Sequence, residues 1–571
     1  MSSRHGVRHA IALTAATVLV TACAGIPTGG AVHVGRPISA PGGLGAIDVR
    51  VLPAAAQPGL SPSDVVHGFL RALVSADTNY DIARTYLTKR AASTWHPGTG
   101  VTTYDDSSVQ ISTSGSGALS RTVQLHAPHL GDIDTRGNFA PAGGTIAASF
   151  ALVRQSSQWR IDRLRDGVLL SALDVQRAFR PAVVYYFNQA GTELVPEQVF
   201  LRPVAGVTTA LVRALVDGPG PWLAPSVRTG FPSGAGLLGN VPVDQTGVAE
   251  VNLSSSVRQA SPAELKALSA QLVWTLKQVS DVSQVRVESD GSQLTIPGVP
   301  VNQPVSSWPA VAPAPPSGST VAVFAGRGGW RLVGSRTVLA TAAGLSDLAI
   351  ADDGNRIAGV AVGRDVASLR VGRRGGQLTS RLTARTLHGV TFDAAGNVYV
   401  IAGRSVGQQV LAVAPTGSAK VVQTDQVLAT KPVQSLRLSH DGSRVAAVVG
   451  NLGHGRLLVG RVVVTHGTIH FESLRNVLPG ARDVRGVAWD GGDQLFATLA
   501  DATGGRELVA VDVDGYATRT IPTTGLSGQP DDVAAAPGRP ILVAAAGAVW
   551  RSESTGTWTR LGRGDQPVYP N

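Results

Sequence analysis

The pattern of apolar and polar positions changes character several times along the chain. Residues 10–20, after Arg4 and Arg8, form one largely apolar run. At 11 residues it falls short of the ~20 that a membrane-spanning helix needs and has the length of a secretion-signal core. Residues 24–47 show no period of 2 or 3.6 and are dominated by Gly, Pro and Ala, which predicts a flexible tether. At Ser61-Pro62-Ser63-Asp64 a helix is predicted to start, because serine caps, proline takes the first turn and the acid complements the dipole. Val66, Phe69, Leu70 and Leu73 then give it one apolar face. A second helical stretch is expected through Ile82, Tyr86 and Leu87 towards Trp95. Strand-like runs follow at 109–111, 121–126 and 145–154, and the run 159–164 alternates cleanly from Trp159. Helices packed on a curved antiparallel sheet satisfy this order.

That order resembles the cone-shaped α+β fold of nuclear transport factor 2-like domains. The next stretch pairs an apolar strand, 183–188, with a partner at 194–204, then a helix over 208–216 stopped by Asp217-Gly218-Pro219. Two β-rich runs, 241–244 and 248–253, flank the turn Gln245-Thr246-Gly247. Ser261 and Glu264 have capping-box spacing, and Leu265, Leu268, Leu272, Leu276 and Val279 line the inner face of the helix they open. Trp274 lies off that stripe. A hairpin of 285–287 and 294–296 is expected to turn at Asp290-Gly291. With Tyr185-Tyr186-Phe187, Phe231-Pro232 and Val251-Asn252-Leu253-Ser254 in place, the stretch resembles the GerMN domain of spore-germination and lipoprotein families. That resemblance implies a small binding or scaffolding module and carries over no catalytic residues.

Residues 298–318 include Pro309, Pro313, Pro315 and Pro316. A semi-rigid linker that keeps its two neighbours apart is expected. Beyond it a strand, a glycine turn and a second strand recur five times, with turn glycines Gly354, Gly396, Gly442, Gly491 and Gly538 spaced by 42, 46, 49 and 47 residues. That period suits four-stranded propeller blades. About five blades are expected, with six as the alternative, and residues 320–333 offer a strand to the last blade, near 549–561.

Composition narrows the class. With 43% hydrophobic and 15% charged residues the chain is core-forming, not disordered. The net charge of +10 is spread along the chain and carried almost wholly by Arg. No dense basic block marks a nucleic-acid site. Cys23 is the one cysteine, and Val20-Thr21-Ala22-Cys23 has the form of a lipobox, which makes Cys23 the expected lipidation site and first mature residue. Two or three acyl chains hold a protein durably at a membrane, where one does not. The expected location is therefore the cell membrane, lipid-anchored on its extracytoplasmic side.

The candidate chemistry is sparse. The 12 histidines form no His-Glu-x-x-His, and no cysteine pair exists for zinc. His67 and His96 form no recognisable set, and His466 and His470 fall in a stretch that reads as a hairpin. Asp512-Val513-Asp514-Gly515 resembles the start of a calcium loop but lacks its later ligands. Asp347, His388, Arg437 and Arg485 sit near the repeated inner strands and are candidates to line a propeller channel. No catalytic, cofactor-binding or metal-binding residue is assigned, and a non-enzyme is expected.

Taken together, lipobox, cone-like domain, GerMN-like domain, proline linker and propeller resemble the actinobacterial LpqB lipoprotein family. The expected division is 1–22 signal peptide, 23–47 lipidated cysteine and tether, 48–178 NTF2-like α+β domain, 179–297 GerMN-like α+β domain, 298–318 linker and 319–571 all-β propeller. The resemblance implies an accessory protein of the Mtr two-component system that meets the extracytoplasmic domain of its sensor histidine kinase and influences envelope homeostasis and division. The alternatives are a lipoprotein binding cell-wall polymer or a small ligand, and a hydrolase whose residues converge from separate blades.

Overall fold

The computed structural model describes residues 53–75, 77, 79–202, 206–313, 321–326, 329–335, 337–404 and 406–570. Cys23 and the tether expected at 24–47 lie outside the described residues. Among the described residues no helix is long and apolar enough to cross a membrane.

The helix Pro62–Ala72 begins on the expected signal, with Ser61 and Asp64 forming a reciprocal capping box. Val66, Phe69, Leu70 and Leu73 are all buried. The helix expected through Ile82 to Trp95 is instead two short ones, Asp81–Arg84 and Lys89–Thr94. Between them the backbone pairs outward: Thr88 N donates to Ile161 O, and Ile161 N donates to Tyr86 O, both at 2.9 Å. Sheet pairing satisfies those groups as well as a helix would, and it lets Trp95 wedge edge-on against Phe69 and Tyr80. The sheet runs in the order Gln158–Arg163, Thr145–Gln155, Ser120–Ile133, Val101–Tyr104, Val168–Ser171. Its last pair is parallel.

The second unit carries two small sheets. In one, Arg180–Asn188 lies between Val227–Arg228 and Leu194–Leu201. In the other, Val248–Leu253 runs parallel to Gln284–Ser289, with the helix Pro262–Leu276 as crossover. The Ser261–Glu264 capping box is present. Leu268, Leu272 and Leu276 are fully buried. Residues 241–244 contribute only a bridge from Val243 to Ala249, because Val241 N is taken by Thr209 Oγ1. The Asp290-Gly291 turn forms with both residues at positive φ, but its returning strand is only Ser292–Gln293.

The first part of the stretch expected as a separating linker packs onto the second unit, and residues 314–320 lie outside the described residues. Asn302–Pro304 joins the second sheet against Gln284–Ser289, and Trp274, packed on Tyr185, donates its indole N–H to Trp308 O. The strand ends at Pro304, at a sheet edge where a missing N–H is tolerated, and the first proline of the cluster opens the short 3-10 turn Pro309–Val311.

The all-β unit has five blades, with inner strands Leu345–Ile350, Leu387–Phe392, Val433–Leu438, Val487–Trp489 and Pro530–Ala534; each has the expected four strands, and the third gains a fifth, Gln423–Thr424, on its outer edge. The five turn glycines all have positive φ, between 67° and 88°, where a side chain is strained. A sixth, shorter sheet closes the ring. The long strand Trp558–Val568 pairs first with Ala548–Ser552 and then, past Gly564, with Val323–Gly326. Val323–Gly326 pairs in turn with Gly329–Leu332. The strand offered by 320–333 thus pairs, as expected, with a strand of the last blade, along 564–568 and so beyond the 549–561 stretch named for it. The end of the chain is its innermost strand, and Pro570 bridges to Ile350 of the first blade.

Candidate functional site

All three units meet at one place. Tyr516 of the propeller packs against Phe139 of the first unit, at 5.2 Å between ring centroids, and Phe200 of the second, at 4.4 Å. Phe200 N also donates to Gly137 O at 2.8 Å. Arg444, only 1% exposed, leaves the third blade and donates to Pro196 O of the second unit at 2.6 Å and to Gly492 O of the fourth blade at 3.0 Å. Asp441 lies 3.7 Å from it, and Asp441 O accepts from Asn188 Nδ2. Trp222 donates its indole N–H to Ser473 O, under the guanidinium of Arg475 at 4.9 Å. Arg461 donates to Trp222 O at 2.7 Å.

A cavity of about 470 Å³ opens at this junction, and Asp134, Asn138, Glu197, Arg444, Arg475 and Asp514 are among its lining residues. Burial is the main cause that pushes the Glu197 carboxyl up to about 7, against the N–H bond from Gly220 and the charge of Arg444. Burial also pushes Asp514 up to about 7, with Asp512 adding repulsion. In the neighbouring crevice between second unit and propeller, burial raises Asp490 and Asp512 to about 6, each reinforced by the charge of Asp493.

A histidine links the second unit to two blades. His440 Nδ1 lies 3.1 Å from Glu193 Oε1, and its Nε2 lies 3.4 Å from Asp352 Oδ1. Burial opposes the charged imidazole, but the hydrogen bonds and charges of Asp352 and Glu193 outweigh it and raise the pKa from 6.5 to about 10. A raised pKa contributes stability that is full below 6.5 and lost as pH climbs through about 10. The raised carboxyls act in the same sense over a lower window: protonated in the folded state and ionised in the unfolded one, they make stability fall as pH rises from about 4 to about 7. Thermal unfolding should therefore move steadily downward from pH 5 to pH 10. His440→Gln should flatten the upper arm and leave the lower one; an unchanged profile above pH 6.5 would refute the assignment.

The four residues expected near the propeller channel mostly tie blades together. Asp347 of the first blade accepts from Gly389 N and Val390 N of the second, at 2.7 and 3.2 Å. His388 Nε2 lies 2.9 Å from Val433 O of the third. Arg485 pairs with Asp483 at 3.1 Å and with Asp531 of the fifth blade at 3.6 Å. Arg437 alone of the four lines the channel; its carbonyl accepts from the Trp489 indole of the fourth blade. A pocket of about 60 Å³ lies there, walled by the inner strands and by Pro567, Val568, Tyr569 and Pro570. His466 sits at positive φ in a hairpin turn, and Asp514-Gly515 turns the hairpin before Thr518–Ile521. Among the described residues no group of three or more His, Cys, Asp or Glu is placed to hold a metal ion.

Three family models match in register with these units. Residues 55–176 match the lipoprotein LpqB N-terminal domain, 183–295 a domain of sporulation and spore germination, and 330–570 the lipoprotein LpqB beta-propeller domain. A lipoprotein LpqB from Thermobifida fusca is 32% identical, covering 98% of this chain and 98% of its own length. The chain belongs to the LpqB lipoprotein family. The LpqB of Streptomyces coelicolor is 28% identical over 97% of this chain and 96% of its own. Among solved structures, TolB from Acinetobacter baumannii covers 44% of this chain and 66% of its own at 12% identity and a TM-score of 0.34, too low to bear on the fold, which rests on the strand pairing above.

For this LpqB-family chain, sequence reasoning missed the residues that build the junction. Glu197 carried a visible signal, a carboxylate inside the apolar run 194–201. Arg444 and Tyr516 carried none, because each follows a blade turn where polar residues are ordinary.

Proposed function

We propose that this LpqB-family chain is a lipid-anchored, extracytoplasmic accessory protein without catalytic activity of its own. Its partner is the extracytoplasmic domain of a two-component sensor kinase of the Mtr type, and its output is envelope homeostasis and division. Family membership supports the lipoprotein part of this reading, and the lipobox ending at Cys23 supplies the anchor. The observation that carries the binding role is the junction itself. Buried Arg444 and the Phe139–Phe200–Tyr516 cluster lock three modules into one body, so surfaces from all three are presented in a fixed arrangement. Ordering entropy is then spent in folding and not at each encounter. Tethering raises the effective concentration of such a body towards a membrane receptor, so a weak contact suffices.

Replacing Cys23 with Ala is expected to move the protein from the membrane to the soluble fraction, about tenfold or more by immunoblot, and to abolish incorporation of labelled fatty acid. Photo-crosslinking from the propeller surface in intact cells then tests the partner. Capture of a sensor kinase, lost in the Cys23→Ala strain, is the expected result. Capture of wall fragments alone would replace the kinase with a wall polymer.

A further inference from the structure

The cavity at the three-unit junction has the size of a small-molecule site, about 470 Å³. Packed beneath its lining are polar atoms that no other described residue satisfies, each with almost no accessible surface. Asn138 Oδ1 and Asp514 Oδ2 are buried acceptors without a hydrogen-bond partner, and Arg444 Nε is a buried donor without one. Arg444 is 1% exposed overall, so this donor is held rigidly and far from bulk water. The Asn138 acceptor and Glu197 converge: a Cβ placed on Gly220 would stand 2.4 Å from Asn138 Oδ1 and 2.8 Å from Glu197 Oε1. Arg475 adds a second guanidinium to the lining, fixed over Trp222. Each buried polar atom left unsatisfied has a substantial cost, and here the orphaned groups are of both kinds.

We propose that this cavity binds a zwitterion of amino-acid or dipeptide size. Its ammonium group pairs with the carboxylates of Glu197 and Asp514, with Asn138 Oδ1 brought in by a turn of that side chain, and its carboxylate pairs with the Arg475 guanidinium, backed by the buried charge of Arg444. A purely anionic ligand would face Asp134, Glu197 and Asp514, and a purely cationic one would face the two guanidiniums. A ligand carrying both charges leaves neither set unmatched. The walls come from all three units, so an occupant would also brace the junction and bind the assembled body in preference to a loosened one.

The test is calorimetric titration of the full mature chain with alanyl-alanine. The control is N-acetyl-alanyl-alanine amide, which has the same backbone and neither charge. The expected result is saturable binding of the dipeptide, at least tenfold weaker binding of the neutral analogue, and a rise in the thermal midpoint with the dipeptide alone. Arg475→Gln and Asn138→Leu, each compared at a temperature where it is fully folded by circular dichroism, should each weaken the dipeptide at least fivefold. Free alanine binding as tightly as the dipeptide would identify a single amino acid as the occupant and still support the site. No heat from either zwitterion up to about 10 mM, equal binding of the neutral analogue, or unchanged affinity in both variants would overturn it; affinities near millimolar are the weakest a specific site of this size would give.

Discussion

Ending the chain at Arg563 is expected to abolish cooperative folding of the propeller. The lost segment is short, but it is the innermost strand of the closing sheet: Val568 pairs with Val323, Asp565 with Ala325, and Pro570 bridges to the first blade at Ile350. Pro567 and Pro570 are buried, and the Tyr569 hydroxyl donates to Pro540 O at 2.8 Å. Burying side chains of this size contributes ~1.5–3 kcal/mol each, so the loss is on the order of 5 kcal/mol, comparable with the whole stability of a domain. It also uncovers the edges of Val323–Gly326 and Leu345–Ile350, and free edges invite aggregation. Denaturant unfolding followed by tryptophan fluorescence should show a lower midpoint and a shallower slope, with light scattering on refolding. A truncated chain with the wild-type midpoint would mean that the five regular blades close without the sixth sheet.

Arg444→Ala should separate the propeller from the second unit without unfolding either. The substitution strands two acceptors in a dry interface, Pro196 O and Gly492 O, and leaves the Asp441 carboxylate, still bonded by Ser439 and Ser443, without its counter-charge. Breaking a buried pair by removing one partner costs ~3–5 kcal/mol, most of it the uncompensated charge left behind. Calorimetry should resolve two transitions where the parent has one, and limited proteolysis should cut between the second unit and the first blade. Adding Asp441→Asn removes the stranded charge and should restore part of the loss. If the double variant is no more stable than the single one, the ion pair is not the source of the effect, and a double-mutant cycle reports the coupling directly.

Local signals were legible wherever a residue acts on its own neighbours. Ser61 and Ser261 cap helices because the hydroxyl reaches an N–H three residues on, a geometry that needs no tertiary partner. The propeller's turn glycines stand at positive φ for the same kind of reason, and their spacing announced the blades. The break at Leu87 and Thr88 was not legible, because the bonds that replace the helix come from Ile161, more than seventy residues away. The sixth sheet was legible only in part: 320–333 could be offered as a strand, but its partner along 564–568 lies at the other end of the propeller region, where no shared turn links the two. Asp347 and His388 were visible as polar residues beside inner strands, yet sequence could not say whether they face the channel or the next blade. The structure gives them to the next blade.

By itself the sequence determined that this is an LpqB-type chain of helix-and-sheet units followed by a propeller, with Cys23 as its expected anchor. Periodicity, caps, turns and a lipobox are short-range features, and short-range features are written in order along the chain. Only the tertiary structure decided that Asn302–Pro304, ahead of the proline cluster, joins a sheet and that the ring closes through the strand Trp558–Val568. It alone decided that Arg444 and Glu197 line a shared cavity and that Tyr516 packs beside it on Phe139 and Phe200. Those outcomes depend on which distant surfaces fit and which buried charges find partners, and nothing local to any of these residues encodes the meeting.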